Sequence, residues 1–375
     1  MHHLSSQLDN QGGGSIGKIG LGIVSDVKIE KKRYEWIDNA RIVAAWLIVC
    51  VHMHIVFPDN PYINSQIATD LAKETTFFGR VPFFLILAGY FLGRRITWSK
   101  AFDRALWLFI PFAIWNFLFY AACSHVFPLD YVKVLHDIPG MLGIGAVFTI
   151  DNTVFGLPLS CPSIAATWFL RDIIVLSLLT PILVKAKKYL LLVAFIAGTL
   201  YQGNLYDDLS THVMLTPTVV IFYLLGVALS DYRISDAYLI LNKSFTPFLF
   251  FGFLAALGYI LYAAYASLPP FPCTVVGCVF GALMIAQCGV LLENHCPKLS
   301  KRLAPCGPAC FLVFVLHYPF LLVARIYVLP EWFYTSCWAW SLSLITCVVI
   351  IAIFLLMKRY LPWLMPYLGH MKVSK

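Results

Sequence analysis

Ten long apolar segments constrain the fold of this chain more than any other feature of its sequence. Each is close to the roughly 20 residues that an α-helix needs to cross a hydrocarbon layer ~30 Å thick. In chain order they occupy residues 37–57, 78–94, 103–124, 164–184, 188–204, 213–230, 246–267, 272–292, 307–329 and 336–357. Because helices satisfy all their backbone hydrogen bonds internally in lipid, these segments predict an all-α, polytopic integral membrane protein with about ten transmembrane helices.

Composition agrees with this fold class. Hydrophobic residues make up 60% of the chain and charged residues 12%, whereas a soluble domain is about half apolar and a quarter charged. The net charge of +8 is typical of basic cytoplasmic loops, so we expect a lipid bilayer as partner and no nucleic acid. The cysteines form no CxxC or Cys/His zinc spacing, so we expect no metal site. Whether Cys161 and Cys273, in two predicted loops, form a disulfide is left open.

The distribution of Lys and Arg predicts the orientation of the chain. If both termini are cytoplasmic, 21 of the 27 Lys and Arg residues lie on the inner side and two, Lys73 and Lys133, in outer loops. This asymmetry follows the positive-inside rule. The weaker apolar run at 140–150 is too short to span and is expected at the interface. The predicted domains are a poorly ordered cytoplasmic tail at 1–33, a ten-helix transmembrane domain at 34–360 and a cytoplasmic tail at 361–375.

The first apolar segment carries ionisable residues near both of its ends. Arg41 and His52 are eleven residues apart, close to three helical turns, so their side chains leave the same helix face with a rise of about 16 Å. Asp38 lies one turn before Arg41 and is placed to orient it as an i,i+3 pair. Simpler interpretations are an interfacial cation for Arg41 and an interhelical hydrogen bond for His52. Ionisable groups inside a membrane are nevertheless candidates for function.

Further basic and aromatic residues lie near the ends of the later apolar segments. Arg94, Arg95, Lys100 and Arg104 crowd the inner loop after the second segment, where they either determine topology or hold the phosphates of an anionic ligand. Arg80 lies at the outer end of the second segment, and Trp168 is typical of an interfacial belt. Arg171, near the outer mouth of the fourth segment, is either solvated or lines a cavity. For His317, packing inside its helix is the simpler interpretation and a catalytic role the alternative.

Four motifs, taken in order, resemble acyltransferase family 3, a family of integral-membrane acyltransferases. The first is Asp38-x-x-Arg41 followed after ten residues by His52. The stretches "RVPFFLILAGY", "TWFLRDIIVLSLLTPIL" and "FVLHYPFL" are similar to later family elements, with Ala88 where serine is usual. The family often has R-x-x-R in its second inner loop, where this chain has a looser group of cations. The resemblance covers residues 36–357.

The resemblance implies transfer of an acyl group, commonly acetyl from cytoplasmic acetyl-CoA, to a hydroxyl of a sugar, glycan or lipid-linked acceptor outside the membrane. Polysaccharide modification in the inner (cytoplasmic) cell membrane is the typical setting. His52 is then the catalytic residue, either as general base or as a covalent acyl relay. Arg41 and His52 are expected to face a common tunnel for the thioester arm of CoA. The residues expected to bind acyl-CoA are Arg41, Arg94, Arg95 and Arg104, and those expected to bind the acceptor are Arg80, Trp168, Arg171 and His317.

A second class of function also fits part of the sequence. A secondary transporter of a small anionic solute would explain the many helices, the intramembrane Arg and His residues and the Pro-interrupted segments. Such transporters often consist of paired inverted halves, and no internal repeat is visible in this chain. Its cations also gather at the inner face, away from the midplane site expected of a transporter. A purely structural subunit would leave the intramembrane arginines without a reason.

Overall fold

The computed structural model describes most of the helical part of the chain. It covers residues 34–57, 59–63, 79–94, 96–126, 153–154, 157–158, 168–193, 217–242 and 273–367, together with separate positions between 196 and 262. Several predictions fall outside these residues. They concern the tail at 1–33, the run at 140–150, Arg95, Cys161 and the part of the 361–375 tail that follows residue 367. The same holds for the side chains of Trp168 and Cys273.

Helices dominate the described residues. They are α1 (Glu35–Val56), α2 (Arg80–Gly93), α3 (Trp98–Val126), α4 (Trp168–Lys185), α5 (Pro217–Leu229), α6 (Ile234–Asn242), α7 (Cys273–His295), α8 (Pro297–Leu303), α9 (Cys310–Val323), α10 (Glu331–Tyr334) and α11 (Ser341–Tyr360). A π-helical turn, Ala324–Val328, extends α9. The strands β1 (Thr153–Val154) and β2 (Leu157–Pro158) form a small antiparallel ladder. Apart from that ladder, the predicted all-α architecture is confirmed.

Five described segments are long and apolar enough to cross a membrane. They are Glu35–Met53, Trp98–Phe119, Val275–His295, Pro297–Val328 and Cys337–Tyr360. Two further apolar helices, Arg80–Gly93 and Val219–Leu229, are shorter. Eight of the ten predicted spans coincide with described helices, and the other two, 188–204 and 246–267, fall largely outside the described residues. The protein is therefore a helical membrane protein, while the count of ten spans and the cytoplasmic termini stay predictions.

Helix α1 lies at the centre of the described bundle. In its most apolar stretch, 61% is buried inside the protein, whereas the corresponding share is 33% in α3 and in α11. Its neighbours include α7 and α9. The backbones of α1 and α7 approach closely at Gly289, where any side chain would overlap the carbonyl oxygen of Trp36. The helix that carries Arg41 and His52 is therefore surrounded by protein over most of its length.

Helices α2 and α5 pack closely through small residues. A Cβ atom at Gly89 would overlap the carbonyl oxygen of Tyr223, and one at Gly226 would overlap that of Ile86. Small residues let helix backbones approach in this way, as the Ala-Gly-Tyr stretch of α2 predicts. Gly79, just before α2, has a φ of 65°, a left-handed conformation that glycine adopts without steric cost. Helix α2 also contacts the central helix α1.

Helices α1 and α9 run in the same direction. Arg325, just after α9, donates from Nη2 to Asp59 Oδ2 at 3.0 Å and from Nη1 to the carbonyl oxygen of Val56. A cation at the end of a helix satisfies carbonyl groups that lack an intrahelical partner. Pro319 lies inside α9, which continues past it into the π-helical turn. The contact with Arg325 fixes the end of α1 one turn beyond His52.

Candidate active site

Two histidines that are 265 residues apart in the sequence meet inside the bundle. The rings of His52, on α1, and His317, on α9, have centroids 4.8 Å apart and planes inclined at 66°. Nδ1 of His52 lies 3.2 Å from Nε2 of His317. His317 is fully buried, and His52 is partly buried. The ring of Tyr318 stands edge-on to His52 at 6.0 Å.

Backbone carbonyl groups define which ring nitrogens of this pair carry protons. Nδ1 of His317 lies 2.7 Å from the carbonyl oxygen of Val313, and Nδ1 of His52 lies 2.9 Å from that of Ile48. A carbonyl oxygen can only accept, so each Nδ1 is a protonated donor. In the neutral pair, His52 Nδ1–H therefore also donates to His317 Nε2. The lone pair of His52 then lies on Nε2, which is chemically suited to take a proton or attack a carbonyl carbon.

A cavity of about 210 Å³ lies between α1, α2, α3, α4 and α9. Among the described residues that line it, Arg41 and Arg104 are charged and the others are apolar. Its volume is below the roughly 300 Å³ at which pockets for drug-sized ligands begin. The cavity therefore suits a narrow chain with an anionic group beside the two guanidinium groups.

Asp38 holds Arg41 at the edge of this cavity. Nη1 of Arg41 lies 3.4 Å from Oδ1 of Asp38, so the i,i+3 pair expected from the sequence is present. Gly307, in the turn before α9, packs directly on the carboxylate. A Cβ atom at Gly307 would come within 2.7 Å of both Cβ and Cγ of Asp38. Only glycine therefore lets this turn approach Asp38 so closely without displacing it.

Three phenylalanines stand at the end of the cavity nearest the histidines. The ring of Phe314 meets those of Phe84 at 4.6 Å and Phe169 at 5.3 Å, both edge to face. All three line the cavity, and Phe314 precedes His317 by one turn of α9. Among the described residues, neither histidine lines the cavity. Along α9 and the turn before it, Phe314 lies between the level of Gly307, which packs on Asp38 beside Arg41, and the level of His317, which meets His52. The phenylalanine layer, as we call Phe84, Phe169 and Phe314, therefore lies between the level of Arg41 and the level of the histidine pair.

The structure brings together two of the four residues predicted to bind acyl-CoA. Arg41 and Arg104 line one cavity. Arg94 is exposed at the end of α2, with its guanidinium carbon 5.3 Å from the ring centroid of Tyr90, and it does not belong to the described lining. Arg95 lies outside the described residues. The role of each of the four in donor binding stays a prediction.

The residues predicted to bind the acceptor are spread over three helices. Arg80 begins α2 and is 1% exposed. The buried Arg171, on α4, donates from Nε and Nη2 to Asp172 Oδ1 at 3.0 and 2.9 Å. Trp168 begins α4, but its side chain lies outside the described part of the chain. His317 contacts His52 directly. Their roles in acceptor binding stay predictions.

Sequence reasoning missed two features of this site. The first is the contact between His52 and His317, for which the only signal was a histidine inside an otherwise apolar helix. The second is the phenylalanine layer. The chain contains 29 phenylalanines, and no local pattern distinguishes the three in the layer from those that face lipid.

A helical bundle with arginines and histidines buried inside it defines the protein as an integral membrane protein with an internal site. A family model for acyltransferase family 3, described as an acyltransferase domain, matches residues 34–357. The chain therefore belongs to acyltransferase family 3, and the resemblance found in the sequence is confirmed. In general terms, the protein is a membrane acyltransferase. No curated protein and no solved structure matches the chain significantly.

Proposed function

We propose that the protein transfers an acyl group, acetyl in the first instance, from cytoplasmic acyl-CoA to a hydroxyl group on the outer side of the membrane. The acceptor class is a sugar, a glycan or a lipid-linked precursor, and the setting is the inner cell membrane with both termini in the cytoplasm. The observation that carries the proposal is the histidine pair, which leaves a basic nitrogen on His52 beyond a cavity that contains two arginines.

His52 acts as general base in this proposal. As the acceptor oxygen attacks the thioester carbonyl carbon, His52 Nε2 takes the hydroxyl proton. The carbon–sulfur bond breaks, the acceptor becomes an ester, and the thiolate of CoA takes the proton back from His52. While His52 is an imidazolium, its Nδ1–H bond to His317 Nε2 becomes charge-assisted and therefore stronger. We therefore propose that His317 supports His52, in addition to the acceptor contact predicted for it.

The arginines hold the donor. CoA is a polyanion with a long, thin arm that ends in the thioester. Guanidinium groups bind phosphate with paired hydrogen bonds, and Arg41 and Arg104 both line the cavity. We assign Arg94, just after α2, and Arg95, the next residue in the sequence, to the outlying phosphates. The helical rise of about 16 Å from Arg41 to His52 is of the order of the length that the arm must span.

The acceptor approaches from the outer side. Arg80, Trp168 and Arg171 belong to the outer ends of α2 and α4 if the positive-inside orientation holds. Arginine and tryptophan both suit the polar and ring faces of a carbohydrate, since they combine hydrogen-bond donors with flat apolar surfaces. We assign these three residues to the acceptor side of the reaction.

Release of free thiol from acetyl-CoA tests the proposal. Membrane vesicles from the source cells contain the natural acceptor, so they are prepared without the native gene and with either the wild-type chain or His52→Ala. We expect thiol release with the wild type and none above background with His52→Ala. His54→Ala is the matched control, because it removes the other histidine of the same apolar segment.

The same assay separates the enzyme from the transporter alternative. A transporter releases no thiol in either form. Thiol release that is equal in the wild type and His52→Ala would remove His52 from the mechanism. Mass spectrometry of surface polysaccharide and lipid from the same cells then identifies the acceptor by the loss of an acetyl increment.

A further inference from the structure

The phenylalanine layer lies where a thioester would pass from the arginine cavity to the histidine pair. Its three rings come from α2, α4 and α9, so no single helix builds it. Phe169 and Phe314 are buried, and Phe84 is partly buried. The two edge-to-face contacts are at distances that favour aromatic attraction. Because protein interiors are close-packed, a short acyl group would displace fewer side chains in passing such a layer than a long one would.

Fully buried side chains also flank the histidine pair. Val49 and Met53 lie close to His52 on α1, and Leu321 follows His317 by one turn of α9. Because protein interiors are close-packed, a group that enters such a region must fit existing space or displace side chains. Since the acyl group precedes the sulfur of CoA along the path, it is the part of the donor that must enter this space.

We propose that the phenylalanine layer selects the acyl group by chain length, admitting short acyl groups to His52 and excluding longer ones. Phe314 is the central residue, because it contacts both other rings and lies one turn from His317. This inference rests on the proposed acyl-transfer function. A pocket that discriminates by one methylene group typically does so by roughly 10- to 200-fold in kcat/KM.

A donor series tests the filter. Thiol release is measured in the same vesicles with acetyl-, butyryl- and hexanoyl-CoA, and the signal of His52→Ala is subtracted. The wild type is expected to prefer acetyl-CoA over hexanoyl-CoA. In Phe314→Ala the acetyl-to-hexanoyl ratio of kcat/KM should fall at least roughly ten-fold. Phe314→Leu and Phe84→Leu create smaller voids and should lower the ratio less, which keeps the test valid if Phe314→Ala does not fold.

Phe222→Leu is the matched control. Phe222 is buried even more deeply than the layer, at 1% exposed, but belongs to α5 and not to the described cavity lining. Its substitution should leave the donor ratio unchanged. A wild-type enzyme that releases thiol while every layer variant keeps its acetyl-to-hexanoyl ratio would refute the filter and leave acyl transfer standing. The filter is also refuted if Phe222→Leu shifts the ratio as much as Phe314→Leu. If the wild type releases no thiol that depends on His52, both proposals are overturned.

Discussion

His317 offers a sharp test of how the histidine pair works, because two substitutions of similar size separate its chemistry from its packing. His317→Leu removes the acceptor that faces His52 Nδ1 and keeps an apolar side chain in a fully buried position. His317→Gln keeps a side-chain oxygen that can accept the same hydrogen bond. We expect the leucine variant to be slower than the glutamine variant at equal folded concentration.

The size of the effect follows from the change in charge on His52 during the reaction. A hydrogen bond between neutral groups contributes about 0.5–1.5 kcal/mol, and one to a charged group about 1.5–3 kcal/mol. Only the difference between the two lowers the barrier, since binding that is equal in ground and transition states does not raise kcat. That difference, about 1–2 kcal/mol, corresponds to a decrease in kcat of roughly 5- to 30-fold for His317→Leu.

The assay is steady-state thiol release at saturating acceptor with varied acetyl-CoA. The KM for acetyl-CoA should change little, because His317 does not belong to the described lining of the cavity that contains the two arginines. His317→Gln should retain a large part of the wild-type kcat. The reasoning is refuted if leucine and glutamine give the same kcat, or if the leucine variant loses activity through KM alone. Thermal unfolding in detergent shows whether either variant has simply lost stability.

Two further predictions concern contacts that support the site. Gly307→Ala should raise the KM for acetyl-CoA, because the new methyl group would press on Asp38, the partner of Arg41, whereas Gly258→Ala meets nothing within 4 Å and should leave it unchanged. Asp172→Asn breaks a buried ion pair and should lower the thermal unfolding midpoint, since such losses cost about 3–5 kcal/mol. Asp231→Asn, which breaks an exposed pair with Lys187, should cost at most about 1 kcal/mol.

Each of these two predictions has a clear contrary result. An unchanged KM in Gly307→Ala, measured with the same vesicles, would show that the turn before α9 does not hold the Arg41 pair in place. Equal shifts of the unfolding midpoint for Asp172→Asn and Asp231→Asn would show that burial does not make the Arg171 pair more important than the surface pair.

Much of the architecture is readable in the sequence because a membrane helix is a local feature. A run of about 20 apolar residues must satisfy its own backbone in lipid, whatever surrounds it. Eight predicted segments therefore coincide with described helices, and their end residues differ by at most six positions. The shared face of Arg41 and His52 and the Asp38 pair are also local, since helical geometry alone sets them.

The sequence by itself thus determined that this is a membrane protein, where these helices lie and to which family the chain belongs. It also singled out Arg41 and His52 as candidate functional residues. The tertiary structure decided that His317 meets His52, that Arg104 joins Arg41 at one cavity, and that three phenylalanines from three helices pack together in the lining of that cavity. Lipid is as apolar as the inside of the bundle, so hydrophobicity does not show which face of a membrane helix meets another helix. Those contacts depend on where small residues such as Gly89 and Gly289 let backbones approach, and only the folded chain settles which helices meet there.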